Sequence, residues 1–331
     1  MKYLVVGLGS MGKRRVRNLL ALGIRGVAGV DPRADRRQEA QAKYGIPVFE
    51  NLDVALQSFT PQVFVISTPP DLHMHFAYFA FAHGISCFIE ASVVDADKIK
   101  LLSEKISGTA IIMAPSCTMR YFPGPKKVKE LIRSNSIGKV LNVNYQTGQY
   151  LPDWHPWEKI EDFYVSKRET GGAREIVPFE LTWLNDIFGN PKALACVKAK
   201  LTDMSVDIDD IYHCLLRYDA NVIANITVEV VSRPKACRDM RVLGSEGEIV
   251  LSADSNSVRY INTTMKEWKE FKFDTGTVEN QYINPEEPYI AEMRDFVGAV
   301  EAKNQSAFPN SLIDDYEILQ TLNALEKMTG A

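Results

Sequence analysis

The first twelve residues constrain this chain more than any other stretch. Lys2-Tyr3-Leu4-Val5-Val6 is a short apolar run of strand character, and it leads directly into Gly7-Leu8-Gly9-Ser10-Met11-Gly12, a G-x-G-x-x-G loop. A helical pattern begins at Lys13. Strand, glycine loop and helix in that order form the opening of a dinucleotide-binding βαβ unit. The first glycine permits the tight turn, the second lets a pyrophosphate approach the backbone, and the third lets the helix pack closely on the strand. Phosphates then rest at the positive end of the helix, on amides with no partner inside it. Gly7, Gly9, Ser10, Met11 and Gly12 are therefore the expected phosphate-side contacts.

A second apolar run, 26–30, ends at Asp31, 24 residues after Gly7. That is close to the roughly 20-residue offset of the acid that holds an adenosine ribose 2′-hydroxyl. A carboxylate there repels a 2′-phosphate and argues for NAD over NADP. Arg33, Arg36 and Arg37 pull the other way, because an arginine can hold a 2′-phosphate. Asp31-Pro32 also suits a turn that starts a solvated basic helix.

With 331 residues the chain has room for two domains. The alternation of strands (3–6, 26–30, 63–67, 87–89, 110–114) with helices (11–22, 35–44, 52–58, 71–83, 95–105) predicts a doubly wound parallel sheet, its strands apolar on both faces. After Arg120-Tyr121-Phe122-Pro123 the pattern changes. A helix over 125–134 precedes period-two runs such as 141–145, 225–230 and 267–273, with turn signals at 219–221 and 244–247. These predict an α+β domain with a large, mainly antiparallel open sheet. The expected domains are 1–119 and 120–331, with helices over 289–302 and 312–328 closing the chain and the last one a candidate to pack back on the first domain. An open sheet face suits a subunit interface, so a homodimer or homotetramer is expected.

Charge is nearly balanced, with 38 basic and 42 acidic residues, which gives no reason to expect nucleic acid or an anionic membrane as partner. No run reaches the ~18 apolar residues of a membrane span. The five cysteines are scattered with no C-x-x-C pair, as in a reduced, cytoplasmic protein. No histidine or cysteine cluster has metal-ligand spacing, and Asp207-Ile208-Asp209-Asp210 reads better as a turn into a strand than as a cation site.

These features together resemble the glucose–fructose oxidoreductase / inositol dehydrogenase (Gfo/Idh/MocA) family over nearly the whole chain. Ser67-Thr68-Pro69-Pro70-Asp71-Leu72-His73 is similar to the family's T-P-x-x-x-H turn, which lies beside the nicotinamide ribose. Arg120-Tyr121-Phe122-Pro123 is similar to its R-[FY]-x-P junction. Gly171-Gly172 and the helix to Gly189 resemble its active-site helix, and Glu292-Met293-Arg294-Asp295-Phe296 its usual ending. The resemblance implies cofactor contacts from Ser67, Thr68, Pro69, His73 and Glu90. Two features depart from the family. Its E-K-P is here Glu90-Ala91-Ser92, without the lysine, and no histidine lies between Gly171 and Gly189, where Glu175, Glu180 and Asp186 are the available acids.

Hydride transfer at a carbinol carbon needs a group that handles the hydroxyl proton. Among five histidines, His73, His75 and His83 belong to the first domain, and His213, in the apolar run 211–216, suits a core position. His155 lies in the segment 149–158, which is dense in aromatics, prolines and acids. There Tyr150, Asp153 and Trp154 are candidate substrate contacts and His155 a candidate acid/base; a stiff, packed connection accounts for the same residues. Arg174 and Glu175 follow the glycine pair, one suited to an anionic substrate and the other to proton transfer, or both to a surface ion pair at a helix start. Arg120 is a further candidate for an anionic substrate, and Glu90 for nicotinamide or substrate. The sequence thus leads to an NAD-dependent oxidoreductase acting on a hydroxyl or keto group of a sugar, sugar acid or nucleotide sugar. The rivals are an NAD-retaining epimerase or lyase and a non-enzymatic dinucleotide or sugar sensor.

Overall fold

The computed structural model describes residues 1–155 and 158–328. The chain forms two compact units, Met1–Thr118 with Gly276–Tyr316, and Met119–Thr275 with the segment from Glu317.

The first unit begins β1 (Tyr3–Val6), α1 (Ser10–Ala21), β2 (Val27–Val30), α2 (Ala34–Tyr44), β3 (Val48–Phe49), α3 (Leu52–Ser58), β4 (Val63–Ile66), α4 (His73–Ala82), β5 (Ser86–Ile89), α5 (Ala96–Ile106) and β6 (Met113–Pro115). Its six strands are parallel in the order β3-β2-β1-β4-β5-β6. Every residue of β1, β2, β4 and β5 is buried, as helices on both faces require. The strand order reverses between β1 and β4, and ligands of such sheets bind at that switch point. The strand expected over 110–114 shortens to β6, because the Ile111 amide donates to Thr109 Oγ1 and the Ile112 amide to Ser86 Oγ. The two-residue β3 is too short to show any period in the sequence.

The second unit continues with α6 (Pro123–Arg133), β7 (Val140–Gly148), α7 (Ala173–Phe188), β8 (Lys192–Ala199), β9 (Ile211–Arg217), β10 (Ile223–Glu229), β11 (Cys237–Gly244), β12 (Gly247–Ser252), β13 (Ser257–Asn262) and β14 (Lys269–Lys272). Its eight strands run in the order β14-β13-β12-β11-β7-β10-β9-β8, with β7 and β10 parallel and the other neighbours antiparallel. Alternation sorts the side chains into two faces. One row, Cys196, Cys214, Ile226, Tyr145 and Met240, is buried. The neighbouring row, Val197, His213, Thr227, Gln146 and Asp239, lies on the open face. His213 is therefore exposed rather than in the core: the apolar run around it alternates, and its Nδ1 lies 3.0 Å from Thr227 Oγ1. Pro178 sits within α7, which continues through it.

The chain then supplies α8 (Glu287–Ala302) to the first unit, and α9 (Leu312–Lys327) ends it. Among the described residues no helix is long and apolar enough to cross a membrane, and no cluster could hold a metal ion. In the Asp207–Asp210 stretch the acids are occupied: Asp209 takes Arg168 and Lys198, and Asp210 accepts the Leu201 and Thr202 amides. None of the five cysteines is in a disulfide.

Candidate functional site

In the first unit, the glycine loop is shaped by close packing. Gly7 has φ +92°, and its amide donates to Val30 O at 2.8 Å. A Cβ at Gly12 would overlap the Gly7 carbonyl oxygen, so α1 can start where it does only because position 12 has no side chain. α1 begins at Ser10 after an N-cap at Gly9 that offers no side chain, leaving its positive end at the loop.

Asp31 is 3% exposed at the end of β2. One carboxylate oxygen accepts the Leu8 amide of the glycine loop at 2.8 Å, and the other accepts the Arg33 amide at 2.8 Å. The acid is thereby locked to the loop that would carry the pyrophosphate. The N-cap of α2 is Arg33, not Asp31. The Arg33 guanidinium pairs with Asp35 at 2.7 Å, whereas Arg36 reaches 3.8 Å from the Asp31 carboxylate and stands next to Gly9.

After β4, Ser67, Thr68 and Pro69 lead to His73 in the first turn of α4. His73 Nε2 lies 2.9 Å from the Thr68 carbonyl oxygen, so Nε2 carries the proton and Nδ1 is the acceptor. Burial lowers its pKa and keeps the ring neutral. His73 Nδ1 and Thr68 Oγ1 are both buried without a partner. Two orphaned polar atoms and a glycine-rich loop at the sheet's switch point fit a dinucleotide.

Glu90, just past β5, is held rather than free. Arg15 Nε and Nη2 donate to its two oxygens at 2.6 and 3.0 Å, and Ser67 Oγ donates at 3.3 Å. Arg15 is wholly buried over the Phe88 ring and also donates to Glu292 at 2.9 Å. Glu292 in turn accepts from Ser116 Oγ, the Cys117 amide and Thr118 Oγ1. Burial raises the Glu292 pKa despite Arg15 and Thr118. The sequence reading passed over Arg15; its signal is a charge between Gly12 and Leu19, two buried positions of α1.

In the second unit, the helix after the glycine pair is fixed by close approach. Gly172 has φ +63°, and a Cβ there would come within 2.7 Å of the Asp209 carbonyl oxygen. Glu175 lies in the first turn of α7. Its Oε1 accepts the Tyr164 hydroxyl at 2.5 Å, and its Oε2 is buried without a partner. Burial pushes its pKa up to about 8, against the opposing effect of the Tyr164 bond. Phe163 stands at right angles to Tyr164, 6.0 Å between centroids, and His155 stacks on Phe163 at 4.7 Å. His155 Nδ1 lies 3.5 Å from Glu158. His155, Glu158, Tyr164 and Glu175 are thus brought into one cluster, with Phe163 at its centre. Tyr164 was not singled out in the sequence, where only its place shortly before the glycine pair marked it.

The other candidates lie elsewhere. Arg174 forms a two-pronged pair with Glu326 at 2.7 and 3.1 Å. Arg120 donates to the Thr182 carbonyl at 3.0 Å and stands 3.8 Å from Asp186. The Tyr150 ring lies under Arg233 at 3.4 Å, Asp153 is exposed, and Trp154 Nε1 is buried without a partner. Pro156 and Trp157 of the 149–158 segment lie outside the described residues.

Residues 1–105 match the model of the oxidoreductase family with an NAD-binding Rossmann fold, and residues 126–250 match the GFO/IDH/MocA C-terminal domain. The chain belongs to the GFO/IDH/MocA oxidoreductase family. Its first unit is an NAD-binding Rossmann domain. No sequence among curated proteins matches. Solved structures share the fold at low identity. A levoglucosan dehydrogenase with NADH and levoglucosan is 16% identical, with a TM-score of 0.84 over 99% of this chain and 97% of that one. An oxidoreductase from Agrobacterium radiobacter with NAD+, L-tartaric acid and magnesium is 14% identical, with a TM-score of 0.84 over 99% and 96%. The WlbA dehydrogenase from Bordetella pertussis with NADH and UDP-GlcNAcA is 16% identical, with a TM-score of 0.79 over 99% and 96%.

Proposed function

We propose that this protein is an NAD-dependent oxidoreductase acting on a hydroxyl or keto group of a sugar, sugar acid or nucleotide sugar. The observation that carries the cofactor half is Asp31, a buried carboxylate tied to the Leu8 amide of the glycine loop. A 2′-phosphate brought to it would meet a fixed negative charge, which favours NAD; Arg36 at 3.8 Å is the residue best placed to oppose that preference. Support for the substrate class comes from the ligands of its structural relatives: levoglucosan, L-tartaric acid and UDP-GlcNAcA.

A bound nicotinamide supplies the hydride chemistry. The chain's residues then divide the remaining work. The glycine loop and Asp31 hold the dinucleotide, and Thr68 and His73 offer the buried hydroxyl and ring nitrogen that lack partners. Arg15 orients Glu90 from behind. Glu175 and His155 are the candidates for moving the proton. A sensor reading gains from the commitment of Glu90 to Arg15 and Arg174 to Glu326. Against it stands Glu175, whose unpartnered buried oxygen has no use in a purely packing role.

The open face of the large sheet is the surface we assign to a second copy of the chain. It presents Val197 at 65% exposure and Leu215 at 37% beside Asn144, Asn225 and an Arg241 already paired with Glu248, a mixture of apolar and polar groups with its charge compensated.

Calorimetric titration of ligand-free protein with NADH and with NADPH tests the cofactor assignment. The expected result is NADH binding at least ~10-fold tighter, about 1.4 kcal/mol. Tighter NADPH would transfer the 2′-position to Arg36, and binding of neither would remove the oxidoreductase reading.

A further inference from the structure

We propose that Cys196 and Cys214 are an oxidation site: a facing pair of thiols that a hydroperoxide closes into a disulfide between β8 and β9, and that a small thiol reopens. Both residues lie within the second unit, and the site does not depend on the oxidoreductase reading.

The register places the two cysteines directly opposite each other in antiparallel strands. Which of two spacings they take follows from the strand on the far side of β9. The Tyr218 amide donates to the Val222 carbonyl and the Val230 amide to the Asp210 carbonyl, each at 2.9 Å. Those bonds make Arg217 with Ile223, and Ile211 with Glu229, non-hydrogen-bonded pairs. Alternating inward from either end, Cys214 with Ile226 is a hydrogen-bonded pair. The amide and carbonyl of one strand residue point to the same side, so those of Cys214 are turned to β10 and away from β8. Cys196 and Cys214 are therefore a non-hydrogen-bonded pair, the closer kind, with Cα atoms about 4.5 Å apart and side chains on one face. A disulfide spans about 4.4–6.8 Å between Cα atoms, so the pair can close with little movement of either strand.

The surroundings favour this pair over any other in the unit. Both thiols are buried on the face that α7 covers, opposite to the open one. Cys237 sits on β11, three strands beyond β9. Cys196 lies on the edge strand and is the more accessible of the two, at 4% exposure against 1%. The Cys214 thiol beside it, helped by the Lys198 ammonium, holds the Cys196 pKa below the usual thiol value against burial and the charges of Glu326 and Asp209. Tyr212, next on the same face of β9, donates to Glu326 at 2.9 Å, and Glu326 holds Arg174 of α7. The new bond would tie the edge strand to the strand that anchors α7.

A hydroperoxide is the oxidant. The Cys196 thiolate attacks one peroxide oxygen, an S–O bond forms and the O–O bond breaks. The leaving oxygen takes up the Cys196 proton and departs as water or an alcohol. The Cys214 sulfur then attacks the Cys196 sulfenic acid: an S–S bond forms, the S–O bond breaks, and hydroxide leaves with the Cys214 proton as water. The two sulfurs together lose two electrons and two protons.

Treatment of the reduced full chain with hydrogen peroxide under native conditions, followed by peptide mapping, tests the site. Cys196 should be found joined to Cys214 within one chain, the linked peptides lighter by two hydrogens, and dithiothreitol should restore both thiols. In Cys214→Ala, Cys196 should stop at a sulfenic acid that dimedone traps. Native wild type that keeps both thiols, joins either one to another cysteine or to a second chain, or carries Cys196 on to a sulfinic acid would overturn the proposal. So would a folded Cys214→Ala that gives no dimedone adduct on Cys196. The wild-type map decides the matter by itself should the variant fail to fold.

Discussion

Glu180 carries a charge into the centre of the second unit, where it is 0% exposed. Arg238 pairs with it at 2.7 Å, and Tyr145 Oη and Trp183 Nε1 donate to it at 2.6 and 2.7 Å. Burial, and then the charge of Glu180, holds the Tyr145 phenol well above its usual pKa. Breaking such a pair from one side leaves the other charge buried alone. Glu180→Ala or Arg238→Ala should each cost about 3–5 kcal/mol, and the double replacement Glu180→Leu with Arg238→Met much less, as measured by urea denaturation. Glu175, five positions earlier, predicts a different behaviour. Its folded pKa of about 8 exceeds the unfolded value near 4.5. Between those values the unfolded chain releases a proton that the folded chain keeps, so stability falls as pH rises, and the loss is complete above about pH 8. Glu175→Gln escapes it. The variant should gain on wild type by up to about 1.4 kcal/mol per pH unit between pH 5 and 8 and no further beyond, read from melting temperatures. The sequence showed both acids on one helix but not which was paired, because Tyr145, Arg238 and Tyr164 come from other elements.

The glycine loop and α1 are the part of the site most readable from the chain, since every contact that shapes them is local or lies in the next strand. Gly12→Ala places a methyl group on the Gly7 carbonyl and must push α1 away from β1. NADH affinity should fall at least 100-fold by calorimetry, with a lower melting temperature. The helices and strands of the first unit follow from hydrophobic period for the same reason. Two departures there have separate causes: β3 is too short to show a period, and Thr109 and Ser86 capture the amides of residues expected in β6. The second sheet was readable as strands but not as a sheet. Its centre joins β7 to β10 and β11, pairs brought together from about 80 to 100 residues apart, and no local pattern encodes that choice. The face of each strand was also ambiguous in a run such as 211–216, and His213 lies on the open face as a result. The two groups that complete the candidate centres, Arg15 behind Glu90 and Tyr164 on Glu175, act through contacts 75 and 11 residues away.

For the molecule as a whole, the open sheet face predicts assembly. Sedimentation velocity at micromolar concentration should show a species of two or four 37.2 kDa chains, and Val197→Asp, placing a charge on the exposed row of β8, should shift it toward monomer without lowering the melting temperature of the subunit. A different consequence follows from the arginines of α1. Arg14 and Arg17 find Glu286, and Arg15 finds Glu292, so cations near the start of the chain are neutralised by acids near its end. On the ribosome, the six-stranded sheet is complete in sequence once Pro115 has emerged, but Glu286 and Glu292 arrive only after the entire second sheet has been made. At about 5–20 residues per second this delay is roughly 10 to 30 s. During that interval the nascent Rossmann half has Glu90 to meet Arg15, whereas Arg14 and Arg17 still lack Glu286. A fragment cut after Thr118 should therefore melt below the whole chain, because Arg14 and Arg17 lose Glu286 and Arg15 keeps only Glu90 of its two acids.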